Sequence, residues 1–76
     1  METEDLTYND CSANQQQFVD DAEANGHEVE YDYSGRGMYG RECPAVRLGP
    51  GEMGFSTDAS YNTDSMGLGS IVYAQC

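Results

Sequence analysis

A chain of 76 residues is long enough for one domain and too short for two. Folding at this size leaves a thin core, with few residues to wall off a deep, dry active site. Fourteen acidic residues against three arginines, with no lysine, give a net charge of -11. That balance excludes the basic footprint needed to grip bare nucleic acid or an anionic membrane surface, and it favours encounter with basic partners.

Ten of the 14 acids fall in residues 1–32, which contain no Lys or Arg, and Arg36, Arg41 and Arg47 follow within the next stretch. Residues 1–9 read as an acidic arm, or as a short strand using Leu6 and Tyr8. They resemble neither a signal nor a transit peptide. No apolar run approaches the ~20 residues of a membrane-spanning helix. The expected location is the cytoplasm.

Ser12 and Gln15 fit an S-x-x-Q capping box, and Cys11, Gln15, Phe18 and Ala22, with Val19 beside them, make one weakly apolar stripe. Asn25-Gly26 supplies a stop. The spacing predicts a helix over about 13–25, its other face carrying Gln16, Asp20, Asp21 and Glu23. Residues 27–33 alternate, predicting a strand with His27, Val29, Tyr31 and Tyr33 on one side and Glu28, Glu30 and Asp32 on the other. A glycine-rich turn over 34–40 leads to a second strand at 42–48, with Val46 and Leu48 sharing a face. Pro44 there points to an edge position or to the strand's first residues. Residues 52–57 predict a third strand using Met53 and Phe55, 58–69 a long polar loop, and 70–76 a final strand. The sum is a single α+β domain over 1–76: one helix packed on a small, mostly antiparallel sheet of three or four strands.

Three features invite chemistry. Gly35-Arg36-Gly37-Met38-Tyr39-Gly40 matches G-x-G-x-x-G, but Pro44 and the lack of room for a parallel βαβ unit remove the dinucleotide context. A broader possibility is a phosphate or nucleotide cradled by Ser34, Gly35, Arg36, Gly37, Gly40 and Arg41, with Tyr39 stacking on a base. Against it stands a structural turn that needs positive φ. Cys11, Cys43, Cys76 and His27 lack the close ligand pairs of a zinc site, so buried apolar thiols are expected, with no metal and no cofactor. An odd number of cysteines also argues against a secreted disulfide scaffold. No nucleophile, base and orienting group can be assembled from the spacing, and a catalytic role is not expected.

The acidic surface remains. Asp20, Asp21, Glu23, Glu28, Glu30 and Asp32, with Tyr39 adding contact area, form the expected partner-binding set, against the plainer alternative of solubility or adaptation to salt. Rigidly spaced carboxylates can imitate nucleic-acid phosphates in a basic groove. Six tyrosines and no Trp suit an interface, and a homodimer is carried as an alternative.

Residues 33–40 (YSGRGMYG) followed by Cys43-Pro44-Ala45-Val46 resemble a segment found in small, mostly uncharacterised bacteriophage accessory proteins, over about 14 residues. The resemblance carries no established activity. It implies a protein that acts by binding a host protein or a host signal. Together with the charge, it gives the leading expectation: a phage-type inhibitor, in the host cytoplasm, of a basic nucleic-acid-handling protein or nucleoprotein complex of host defence. The alternative is a small-ligand module using the loop at 34–41.

Overall fold

The computed structural model describes residues 7–34, 42–52 and 54–75. It is an α+β fold in two layers, one helix against a four-stranded antiparallel sheet. A 3-10 turn, Tyr8–Asp10, leads into helix α1, Ala13–Ala24. The strands are β1 (Glu30–Tyr33), β2 (Cys43–Leu48), β3 (Asn62–Met66) and β4 (Gly69–Tyr73), in the spatial order β1-β2-β4-β3.

Helix α1 starts and stops where local chemistry dictates. The Ser12 hydroxyl accepts from the Gln15 amide at 3.2 Å, and the Gln15 side-chain oxygen accepts from the Ser12 amide at 2.9 Å, so two orphan donors of the first turn are satisfied reciprocally. At the other end His27 N–H donates to the Ala22 carbonyl and Gly26 N–H to that of Glu23. This is a Schellman closure, with Gly26 at φ 83°. The stripe predicted from spacing is the buried one: Gln15, Phe18, Val19 and Ala22 all face inward.

Strands β2 and β4 lie at the centre of the sheet, and residues 43–46 and 71–73 are buried on both faces, which is why those stretches read as apolar runs without alternation. Val46, Leu48, Val72 and Ala74 pack with Phe18, Val19 and Ala22 of the helix, and Val29, Tyr31, Phe55 and Ala59 close the margins. On the opposite face Cys43, Ala45, Ile71 and Tyr73 form a second, smaller cluster, with Tyr33 against it.

Pro44 is the second residue of β2, an interior strand rather than an edge. Its placement depends on the helix. Extending the β2–β4 register sets Pro44 opposite Ala74, and the Pro44 carbonyl accepts from the Ala74 amide at 3.1 Å. Proline has no N–H to return to the Ala74 carbonyl. The buried Gln15 side-chain amide donates to that carbonyl instead, at 3.0 Å, and also to the Gln75 carbonyl at 3.2 Å. One glutamine thus completes the helix cap and a gap in the sheet ladder.

Of the two alternatives for residues 1–9, the strand does not form at Tyr8, which lies in a 3-10 turn, while residues 1–6, including Leu6, lie outside the described residues. Three further expectations fail, each for an identifiable reason. The first strand begins at Glu30 rather than at residue 27, and its register is irregular: Glu30 faces Ala45 and Tyr33 faces Cys43, so three steps on β1 match two on β2. This bulge breaks the alternation. Tyr31 therefore joins the helix-side core while Tyr33 joins the opposite cluster, and Glu30 shares the Tyr33 face. Residues 54–57 are irregular; Phe55 is held as a loop residue edge-on to Phe18, with ring centroids 5.4 Å apart. Finally, 58–69 is not one long loop. It contains β3, joined to β4 by a two-residue turn whose first residue, Gly67, has φ 65°, the position where tight hairpins favour glycine.

Candidate functional site

The six carboxylates expected to form one front are divided by the fold into three groups. Asp20 and Glu23 lie on the side of α1 that borders β1. The Tyr8 hydroxyl donates to both oxygens of Asp20, at 2.9 and 3.1 Å. That bond, more than any other cause, raises the Tyr8 pKa, with further contributions from the charges of Asp20 and Glu23. Tyr31 on β1 is raised first by burial and then by Glu23, Cys11 and Asp20. The helix acids and the sheet edge are therefore electrostatic neighbours. Glu28 and Asp32, both exposed, belong to the stretch that forms the same edge.

Asp21 turns the other way. It accepts from the Gln17 side chain at 2.8 Å, and bonds from the Thr57 hydroxyl, Gln17 and the Asp58 amide hold its carboxyl below the usual range. Successive helical residues do not face each other, and Asp21 serves to hold the 56–59 loop. Glu30 is the third case. On the bulged face it meets Arg47, the only arginine among the described residues, with Arg47 Nε donating to Glu30 Oε2 at 2.6 Å. Asp32 lies within electrostatic reach of the same arginine, whose pKa is raised first by Glu30 and further by Asp32. The fold thus leaves Asp20, Glu23 and Glu28 without an ion pair among the described residues.

Of the expected ligand loop, Ser34 is exposed just past the end of β1. Gly35, Arg36, Gly37, Tyr39, Gly40 and Arg41 lie outside the described residues, as does Cys76. Cys11 and Cys43 are buried. Burial pushes the Cys43 thiol up to about 12, far from the thiolate character that reactive cysteines need. Among the described residues no group of three or more His, Cys, Asp and Glu is placed to hold a metal ion, and no helix is long and apolar enough to cross a membrane. His27 rests beside Phe55, with ring centroids 5.3 Å apart, and its Nδ1 lies 3.8 Å from Glu52. That is a packing role. A shallow recess of about 250 Å3 opens between the end of β2 and the β3–β4 turn, where Leu68 is 84% exposed.

Two features escaped the sequence reading. One is the Tyr8–Asp20 bond across twelve residues. The other is Tyr33, whose hydroxyl donates to Asp64 Oδ2 at 2.7 Å. It reaches from one edge strand to the other, across β2 and β4, with its ring 5.0 Å from that of Tyr73. Neither has a local signature. The Asp64 bond, followed by burial, raises Tyr33 from 10.0 to about 12. Because the folded state prefers the neutral phenol, this stability is fully present below pH 10. It is lost as pH rises through the folded value, between about 10 and 12. Alkaline denaturation of Tyr33→Phe, followed by circular dichroism, is expected to show a shallower loss across that window than the unsubstituted chain. An unchanged slope would remove the Asp64 bond from the account.

No protein-family model matches the chain, and neither a curated protein nor a solved structure is significantly similar to it.

Proposed function

We propose that the chain is a non-enzymatic binding domain that docks on a basic, nucleic-acid-handling protein and competes with nucleic acid for it. The observation that carries this reading is the border between α1 and β1, where Asp20, Glu23 and Glu28 stand without an ion pair among the described residues, while Arg47 is tied to Glu30 and lies within electrostatic reach of Asp32. Carboxylates without an ion pair among the described residues, in a chain of net charge -11, raise the rate and selectivity of encounter with cationic surfaces. The phenols of Tyr8 and Tyr31 add amphipathic area beside them. The resemblance of 33–46 to bacteriophage accessory proteins supports a host protein as the target and the host cytoplasm as the place of action.

Capture of basic proteins from a host lysate tests the proposal. Binding is expected to weaken steeply as salt shortens the Debye length from about 30 Å at 0.01 M to about 3 Å at 1 M. DNA added to the lysate is expected to displace the chain. The double variant Asp20→Lys, Glu23→Lys is expected to bind at least about tenfold more weakly, roughly 1.4 kcal/mol. Asp58→Lys, an exposed acid on the loop held by Asp21, is expected to change binding far less. Capture that ignores salt, or that falls equally with either variant, would count the border out.

A further inference from the structure

Beyond the acidic border, the far edge of the sheet has a geometry of its own. The Ala74–Pro44 bond fixes which residues of β4 turn toward β2: the even-numbered ones. Ile71 and Tyr73 therefore turn toward β3, where their partners are Asp64 and Asn62. Antiparallel pairs alternate between exchanging both backbone bonds and exchanging none. Thr63 and Ser65, lying between the bonded positions, direct their N–H and C=O groups away from the sheet. Both are exposed, and neither has a backbone partner beyond the ladder in the described structure. The two edges differ. β1 is irregular and flanked by acids, features that discourage strand addition. β3 holds five consecutive pairs in register, without a bulge, a proline or a lysine.

We infer that the outer edge of β3 is a docking site for an extended segment of a basic partner protein, which adds as a fifth strand. Strand addition takes affinity from main-chain bonds and selectivity from the side chains that flank the new strand. Here those are Asn62, Thr63, Asp64 and Ser65, a polar row whose one carboxylate, Asp64, already accepts from Tyr33 through Oδ2; with the net charge of -11 this row suits a strand alternating Lys or Arg with Thr or Val. A second copy of the chain is disfavoured as the occupant, since each copy brings a net charge of -11. The inference rests on the reading that the partner is basic, and assigns that partner's extended segment to this edge.

Amide hydrogen exchange on the labelled full chain, at low salt, tests it with synthetic peptides of roughly ten residues alternating Lys and Thr, long enough to span the edge. Exchange at Thr63 and Ser65 is expected to slow by roughly tenfold or more, and a matching Glu-Thr peptide is expected to have no effect. Ser65→Pro removes an outward donor without breaking a ladder bond and is expected to abolish protection at Thr63. Thr63→Pro, read at Ser65, serves if the first variant disturbs the hairpin. Peptide binding that shifts Asp20 and Glu23 resonances but leaves both amides unprotected would overturn the edge site and spare the acidic border. Binding that perturbs neither place would remove both. Protection that grows with protein concentration in the absence of peptide would make the occupant a second copy and overturn the inference.

Discussion

Phe18→Ala is expected to leave the chain largely unfolded at room temperature. Phe18 is the largest fully buried side chain among the described residues. It meets Phe55 edge-on at 5.4 Å and Tyr61 at 6.1 Å, and so joins the helix to the 54–61 loop over the sheet. Truncating a buried phenylalanine costs about 3–5 kcal/mol, because the transfer energy is lost and the cavity only partly collapses. A domain of this length has about 4–11 kcal/mol in all, and a thin single core places it toward the lower end. The two figures overlap, so the cooperative thermal transition should vanish or fall by tens of degrees. Phe18→Leu, which keeps most of the volume, should cost far less. Circular dichroism melts decide it: a Phe18→Ala melting temperature within a few degrees of the parent would mean that the helix is not anchored through this ring.

Gln15→Leu is expected to cost about 2–4 kcal/mol despite its similar volume and greater hydrophobicity. The substitution removes the Gln15 half of the capping box and leaves the Ala74 carbonyl without its donor. Loss of a cap costs about 0.5–2 kcal/mol, and a buried unsatisfied acceptor about 1–3. The structure adds a sharper expectation, because the Ala74 carbonyl lacks a sheet donor only on account of the residue opposite it. Pro44→Ala restores an N–H at that place. In the Gln15→Leu background it should therefore recover about 1 kcal/mol or more, relative to its effect on the parent chain. Urea denaturation of the four proteins measures this coupling. Strict additivity would show that the glutamine and the proline act independently.

The parts of the fold legible in the sequence are those decided by neighbours along the chain. The Ser12–Gln15 box, the Asn25-Gly26 stop and the stripe through Phe18 and Ala22 are local matters, and all three are found where the spacing puts them. β3 was hidden because Asn62, Thr63, Asp64 and Ser65 have neither the apolar alternation nor the residue types that mark a strand. Only pairing with β4 makes them one, a contribution from context that strand propensity does not carry. Phe55 misled in the opposite sense, since an aromatic beside a methionine looks like strand but caps the core from a loop. The bulge between Glu30 and Tyr33 leaves no trace in an alternating sequence, yet it decides that Glu30 meets Arg47. The division of the helix acids was partly legible. Adjacent helical residues diverge, so Asp20 and Asp21, which the spacing places on one face and in one binding set, separate in the fold, and the choice of Tyr8 as the Asp20 partner depends on how the 3-10 turn folds back.

The tie between Gln15 and the Ala74 carbonyl spans 59 positions. A nascent chain emerging from the amino end would expose α1 and its apolar stripe long before β4 and the residues after it exist to receive them. The β1–β2 and β3–β4 pairings connect sequence neighbours, whereas the union of β2 with β4 waits for the second hairpin. Non-local closure of this kind slows folding. Assembly of the domain thus waits for β4, and until then the exposed helix depends on its negative charge to stay clear of other chains.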